Sequence, residues 1–114
     1  MDNFIVYNLD HQYIKLTFKG TLQTIMKHSG SILIVDDNAD ILTASRLLLK
    51  QHYQQVKTTT DPQQISHYLA QFDIDVVLLD MNFTQDAISG NEGLFWLEKI
   101  LQLKSSTTVV MMTA

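Results

Sequence analysis

Three carboxylates stand in this chain where a carboxylate is costly. Asp36 and Asp37 follow the apolar run Ile32-Leu33-Ile34-Val35, and Asp80 ends the run Val76-Val77-Leu78-Leu79. A charge at the tip of a buried segment is disfavoured unless a cation or a reaction uses it. If the two runs are neighbouring strands, their ends bring the three acids together, and repulsion raises at least one pKa unless a divalent cation neutralises the group. An oxygen-only donor set suits Mg²⁺ or Mn²⁺, with waters completing the octahedron. A carboxylate beside such an ion can act as a nucleophile toward a phosphoryl group, while the metal offsets charge on the transferring oxygens. Thr113, closing a further apolar run, could hydrogen-bond one of those oxygens, and Ala114 beside it leaves room for the group. Asn82, two residues past Asp80, is placed to offer its backbone carbonyl to the metal.

Each residue has a blander role to set against this one. A lone Asp after a strand is usually a helix cap or turn residue, and Asp37 by itself would be read so. It is the conjunction of Asp36-Asp37, Asp80 and Thr113, each at a strand end, that favours a site. Gly90 and Gly93 lack a nucleotide-binding spacing and suit a turn and close packing at the start of a helix. Phe95 and Trp96 fit core or partial surface, and His11, His28, His52 and His67 show no metal-ligand spacing.

The elements that must hold these residues follow from hydropathy patterning. Ile32 to Val35 reads as a strand buried on both faces. Asp36-Asp37-Asn38 can cap a helix whose apolar positions are Ile41, Leu42, Ser45, Leu48 and Leu49. Val56 to Thr58 is a weak second strand, and Asp61-Pro62 starts a second helix with Ile65, Tyr68, Leu69 and Phe72 on one face. Ile74 to Leu79 is the third strand. A third helix follows with Leu94, Leu97 and Leu101, broadened by Phe95, Trp96 and Ile100, and Thr107 to Met112 is the fourth strand. Helices between successive strands imply right-handed crossovers and a parallel sheet covered on both faces, an α/β fold. Ligands of such sheets bind beyond the carboxyl ends of the strands, where Asp36, Asp37, Asp80 and Thr113 all fall.

Composition bounds the remaining function classes. A chain of 114 residues, 46% hydrophobic, can form one domain with a real core but hardly two. The net charge of -4, with eight scattered Lys and Arg, offers no basic patch for nucleic acid. The absence of Cys excludes disulfides and thiolate metal sites. No apolar run approaches the length needed to cross a bilayer, and no signal-peptide pattern follows Asp2, so a cytoplasmic protein without membrane contact is expected.

Taken together, Ile32-Leu33-Ile34-Val35-Asp36-Asp37-Asn38, Val76-Val77-Leu78-Leu79-Asp80-Met81-Asn82-Phe83, Gly90 with Gly93, and Val109-Val110-Met111-Met112-Thr113-Ala114 resemble a two-component response-regulator receiver domain. The resemblance runs from about Ser31 to Ala114, which makes 31–114 a partial receiver domain and 1–30 an N-terminal extension. It implies a flavodoxin-like doubly wound parallel sheet of order 2-1-3-4, truncated after the fourth strand, with a fifth strand expected beside the fourth. Asp80 would be the phosphoacceptor, taking a phosphoryl group from a sensor histidine kinase or a phosphotransfer protein. Asp36, Asp37, Asp80 and the backbone carbonyl of Asn82 would hold Mg²⁺, and Thr113 would be the switch hydroxyl that moves onto the phosphate. Such a domain is no conventional enzyme, being limited to Mg-dependent self-phosphorylation from a phosphodonor and autodephosphorylation. The flavour is that of receivers at the front of transcriptional regulators of the enhancer-binding type.

The chain departs from the family in ways that set further expectations. The loop after Asp80 lacks the usual proline, Thr84 standing near its place, and looks slightly long. No counterpart of the family's strand-five lysine follows Thr113, and no output domain follows, so the chain is expected to be a fragment of a longer protein. The fourth strand would then present Val109 to Met112 as an uncovered edge, inviting another chain or a homodimer. The alternative function is a phosphorylation-independent interaction or dimerisation domain. A metal-dependent phosphatase would need a general acid or positive clamp, and none is apparent. In the first 30 residues, Tyr13 to Phe18 alternate as in a half-buried strand that could instead cover the open edge. A start at Met26, leaving the preceding residues outside the domain, stands beside that reading.

Overall fold

The computed structural model describes residues 3–7, 13–16, 30–80 and 91–113. In chain order the elements are β1 (Asn3–Tyr7), β2 (Tyr13–Leu16), β3 (Ser31–Val35), α1 (Ala39–Leu49), β4 (Gln55–Thr59), a 3-10 turn (Pro62–Gln64), α2 (Ile65–Gln71), β5 (Val76–Asp80), α3 (Asn91–Leu103) and β6 (Thr108–Thr113). The described strands form one sheet in the order β2-β1-β6-β5-β3-β4. Its parallel part, β4-β3-β5-β6, takes the four strands after residue 30 in the order second, first, third, fourth. This is the doubly wound 2-1-3-4 arrangement that the resemblance implies.

Side chains of the inner strands alternate between two cores. Ile32 and Ile34 of β3, Val76 and Leu78 of β5 and Val110 of β6 meet Leu42 and Leu49 of α1 and Tyr53 on one face. Leu33, Val35, Val77, Leu79, Val109 and Met111 point the other way, against Ile65 of α2 and Leu97 and Ile100 of α3. All four residues from Ile32 to Val35 are fully buried, each worth about 1.5–3 kcal/mol of burial. A strand buried on both faces must be apolar throughout, which is why β3 and β5 read as unbroken hydrophobic runs.

Local chemistry sets the joints. Asn38 is the N-cap of α1, its Oδ1 accepting from the backbone N–H of Asp40 at 2.9 Å and of Ile41 at 3.3 Å. Asp61 caps the 3-10 turn by accepting from the Gln63 N–H at 2.9 Å, with Pro62 in the first position. At the amino end of the sheet Gly30 has φ +104 and passes over the Asp75 carboxylate, which accepts the Ser31 N–H at 2.9 Å. A Cβ on residue 30 would collide with that carboxylate, so close approach and backbone angle both require glycine. Lys104 fastens the end of α3 to the segment entering β5, donating to Asp73 and, at 2.7 Å, to the Ile74 carbonyl.

Two helix faces differ from the periodicity reading. On α1, Leu42 and Leu49 are buried, whereas Ile41 and Leu48 are 41% and 54% exposed. On α3 the buried positions are Leu97 and Ile100, with Trp96 and Leu101 partly covered, and Leu94 and Phe95 face outward. Both sequences carry more large apolar residues than one stripe against the sheet can take.

The larger correction concerns the fourth strand. Its outer edge was expected to be open, and β1 fills it, pairing antiparallel from Asn3↔Thr113 to Tyr7↔Val109. Tyr13–Leu16 is a strand, as its alternation suggests, but its partner is β1 and not the edge itself. Thr17 and Phe18, the rest of that stretch, lie outside the described residues, as does Met26.

Candidate functional site: an acidic corner at the strand ends

β3 and β5 are adjacent and in register up to Val35↔Leu79, so the next residues, Asp36 and Asp80, emerge on one row of the sheet. β4 on the far side of β3 steadies the corner, since the Asp36 N–H donates to the Thr59 carbonyl at 3.2 Å and extends the ladder by one residue. The Asp36 carboxylate turns back to accept the Asn38 N–H at 2.9 Å. Asn38 thus closes the acidic corner through its backbone and starts α1 through its side chain.

These joints bring the three acids together. Asp36, Asp37 and Asp80 each present an oxygen within 4.8 Å of the others, the one group of three or more potential metal-ligating side chains among the described residues. Asp36 is 2% exposed. Burial, chiefly, raises its pKa from 3.8 to about 6; the nearby charges of Asp80 and Asp37 and a hydrogen bond with Asp37 add to the rise, and the Asn38 N–H opposes it. Burial and the neighbouring carboxylates thus disfavour the charged form of Asp36 at this corner.

A divalent cation fits this donor set. Mg²⁺ binds oxygens at about 2.0–2.1 Å, so donors across the ion stand up to ~4.2 Å apart. Carboxylate oxygens already within 4.8 Å of one another reach that spacing by small side-chain rotations. All three groups are hard oxygen donors, with no His or Cys among them.

Among the other residues singled out in the sequence, Thr113 ends β6, one position beyond Met112, which pairs with Asp80. Asn82, Thr84, Gly90, Ala114, His11 and His28 lie outside the described residues. Gly93 is buried in the first turn of α3. Phe95 is 56% exposed, with its ring edge-on to Trp96 at 5.0 Å between centroids. His52 and His67 join no metal-type group among the described residues. The sequence reading missed β1, which stands one strand beyond Thr113. Its signal was the run Phe4-Ile5-Val6-Tyr7, four residues of high strand preference.

No described helix is long and apolar enough to cross a membrane. No curated protein matches the chain. Among solved structures, the crystal structure of the N-terminal signal receiver domain of a two-component system response regulator from Bacteroides fragilis is 49% identical, with a TM-score of 0.57. That match covers 66% of this chain and 58% of the other, so it spans less than two thirds of the relative. Residues 32–114 match the family model described as the response regulator receiver domain, far more than half of the chain, and they include Asp36, Asp37, Asp80 and Thr113. By that match, and by its 2-1-3-4 parallel sheet, the chain belongs to the response-regulator receiver-domain family.

Proposed function

We propose that the chain is a phosphoacceptor signalling domain in which Asp80 takes a phosphoryl group from the phosphohistidine of a sensor histidine kinase or a phosphotransfer protein. The observation that carries this reading is the convergence of Asp36, Asp37 and Asp80 at the carboxyl ends of adjacent strands. Receiver domains are not conventional enzymes; their chemistry is their own phosphorylation and dephosphorylation.

In the proposed step an Asp80 carboxylate oxygen attacks phosphorus and forms an O–P bond. The N–P bond of the donor breaks, and the leaving imidazole nitrogen keeps the electron pair and takes a proton from solvent. Asp80 is half-buried at the tip of β5 and held in place by its ladder with β6. Asp36, Asp37, Asp80 and the Asn82 carbonyl would hold Mg²⁺, which supplies charge stabilisation for the transferring oxygens. Asp36, fixed by the Asn38 N–H and the Thr59 carbonyl, orients the acidic corner. Thr113, at the end of the strand beside β5, would donate its hydroxyl to the bound phosphoryl group and so register occupancy as a movement of β6. The product is a changed surface, read by an output or partner.

The test is labelling of the whole chain by acetyl phosphate with and without Mg²⁺. One phosphoryl group per chain is expected with the metal, and none after Asp80→Asn. Undiminished labelling of Asp80→Asn would remove Asp80 as the acceptor.

A further inference from the structure

The outer face of α3 carries apolar residues that the sheet does not cover. Gly93, Leu97 and Ile100 turn one side of the helix inward. At about 3.6 residues per turn, Phe95, Lys99 and Leu103 form a stripe about 130° round the helix from them. Phe95 is 56% and Leu103 50% exposed, and Lys99 between them is exposed as well. Positions spaced in this way form one continuous ridge of the kind that packs helix on helix. A shorter exposed ridge, Glu98 and Gln102, runs beside it.

Two details suit this stripe to contact. The Phe95 ring stands edge-on to Trp96, 5.0 Å between centroids, and Trp96 packs against the core, so the exposed ring rests on a fixed neighbour. An aromatic ring held in one place anchors an interface at low entropic cost. The second detail is charge. Glu98 and Lys99 enter no ion pair among the described residues, and adjacent positions on a helix do not face each other. Both signs therefore stand beside the two apolar anchors with no partner inside the copy.

Such a stripe is complementary to itself. If a second copy lies antiparallel across it, with the two-fold axis at Lys99, Phe95 of each copy meets Leu103 of the other, because Lys99 stands midway between them. The two Lys99 side chains are long and leave the axis in opposite directions, each toward the Glu98 of the other copy. One surface thus yields two apolar contacts and two ion pairs.

We propose that the outer face of α3 is a homodimerisation surface, on which Phe95 and Leu103 supply the burial while Glu98 and Lys99 select a second copy of this chain in antiparallel register. A helix of 13 residues is about 20 Å long, and two of that length bury less than the ~1,200 Å² of standard stable complexes. The dimer is therefore weak and concentration-dependent. It is independent of the phosphoacceptor reading of Asp80.

The test is sedimentation equilibrium of the whole chain at low salt, from about 10 µM to about 1 mM, the range suited to a contact of this size. The unaltered chain should pass from one copy to two and stop there. Phe95→Glu should weaken association about tenfold or more. Glu98→Lys and Lys99→Glu should each do the same, since each sets like charges against one another twice. An equimolar mixture of those two variants should associate again, because the cations of one face the anions of the other. All three positions are exposed, so each variant should keep the Tm of the unaltered chain. A chain that stays single throughout, association that grows beyond two copies, a dimer indifferent to all three substitutions, or a mixture as weak as its components would each overturn the proposal. The first arm needs no substitution, so its outcome stands even if a variant does not fold.

Discussion

Replacing Asp36 by Asn should stabilise the metal-free protein at neutral pH, and the gain should vanish in acid. The Asp36 pKa is raised from 3.8 to about 6, first by burial and then by the charges of Asp80 and Asp37. Because the folded form holds the proton more tightly than the unfolded chain, stability falls as pH rises from about 4 to about 6 and stays reduced above it. The rise is roughly two units, each about 1.4 kcal/mol, which sets a ceiling near 3 kcal/mol. Solvent at the mouth of the corner lowers the realised value, to about 1–3 kcal/mol. Asparagine keeps the shape and an Oδ1 that can accept the Asn38 N–H, so the cap of α1 survives. Urea unfolding with a chelator present, followed through the fluorescence of the one tryptophan, Trp96, measures the difference. The two proteins should match near pH 4, and the variant should be the more stable above pH 6. A wild-type protein that gains on the variant as pH rises would refute the reasoning. Saturating Mg²⁺ should reverse the order, since a ligand at 100 times its Kd adds about 2.7 kcal/mol to the protein that binds it.

Four further substitutions test the fold that positions the site. Leu79→Ala empties a fully buried position beside Asp80 and should cost about 2–5 kcal/mol in urea unfolding, whereas Leu48→Ala, 54% exposed, should stay within about 0.5 kcal/mol. Gly30→Ala forces a side chain onto the Asp75 carboxylate at a positive φ and should cost about 1–3 kcal/mol, with a lower Tm. Asn38→Ala removes the side-chain cap of α1 for about 1 kcal/mol; its backbone bond to Asp36 persists, so Mg²⁺ affinity should change little by titration calorimetry.

What the sequence could show depended on how local the determinant was. β3 and β5 are buried on both faces and announced themselves as apolar runs, with their acids at the carboxyl ends of the parallel sheet. The acidic corner was legible for the same reason, because the costly residues mark the strand tips. α1 was legible as a helix but not in its orientation: Leu47, Leu48 and Leu49 are consecutive, and periodicity cannot choose among three adjacent leucines. The sheet chose Leu49, with Leu42 two turns before it. β1 was missed because its partner, Val109–Thr113, lies about a hundred residues away in sequence: the run Phe4-Ile5-Val6-Tyr7 marks a strand but not the partner it pairs with at that distance. The metal role of the Asn82 carbonyl falls outside the described residues and stays with the proposal.

The most direct test of the central claim is the phosphoryl content of the intact chain after exposure to acetyl phosphate and Mg²⁺, read by mass spectrometry with the site located by fragmentation. The account predicts a single modification on Asp80, lost without the metal and absent from Asp80→Asn. A modification that persists in Asp80→Asn, or one that forms equally well without a divalent cation, would contradict it.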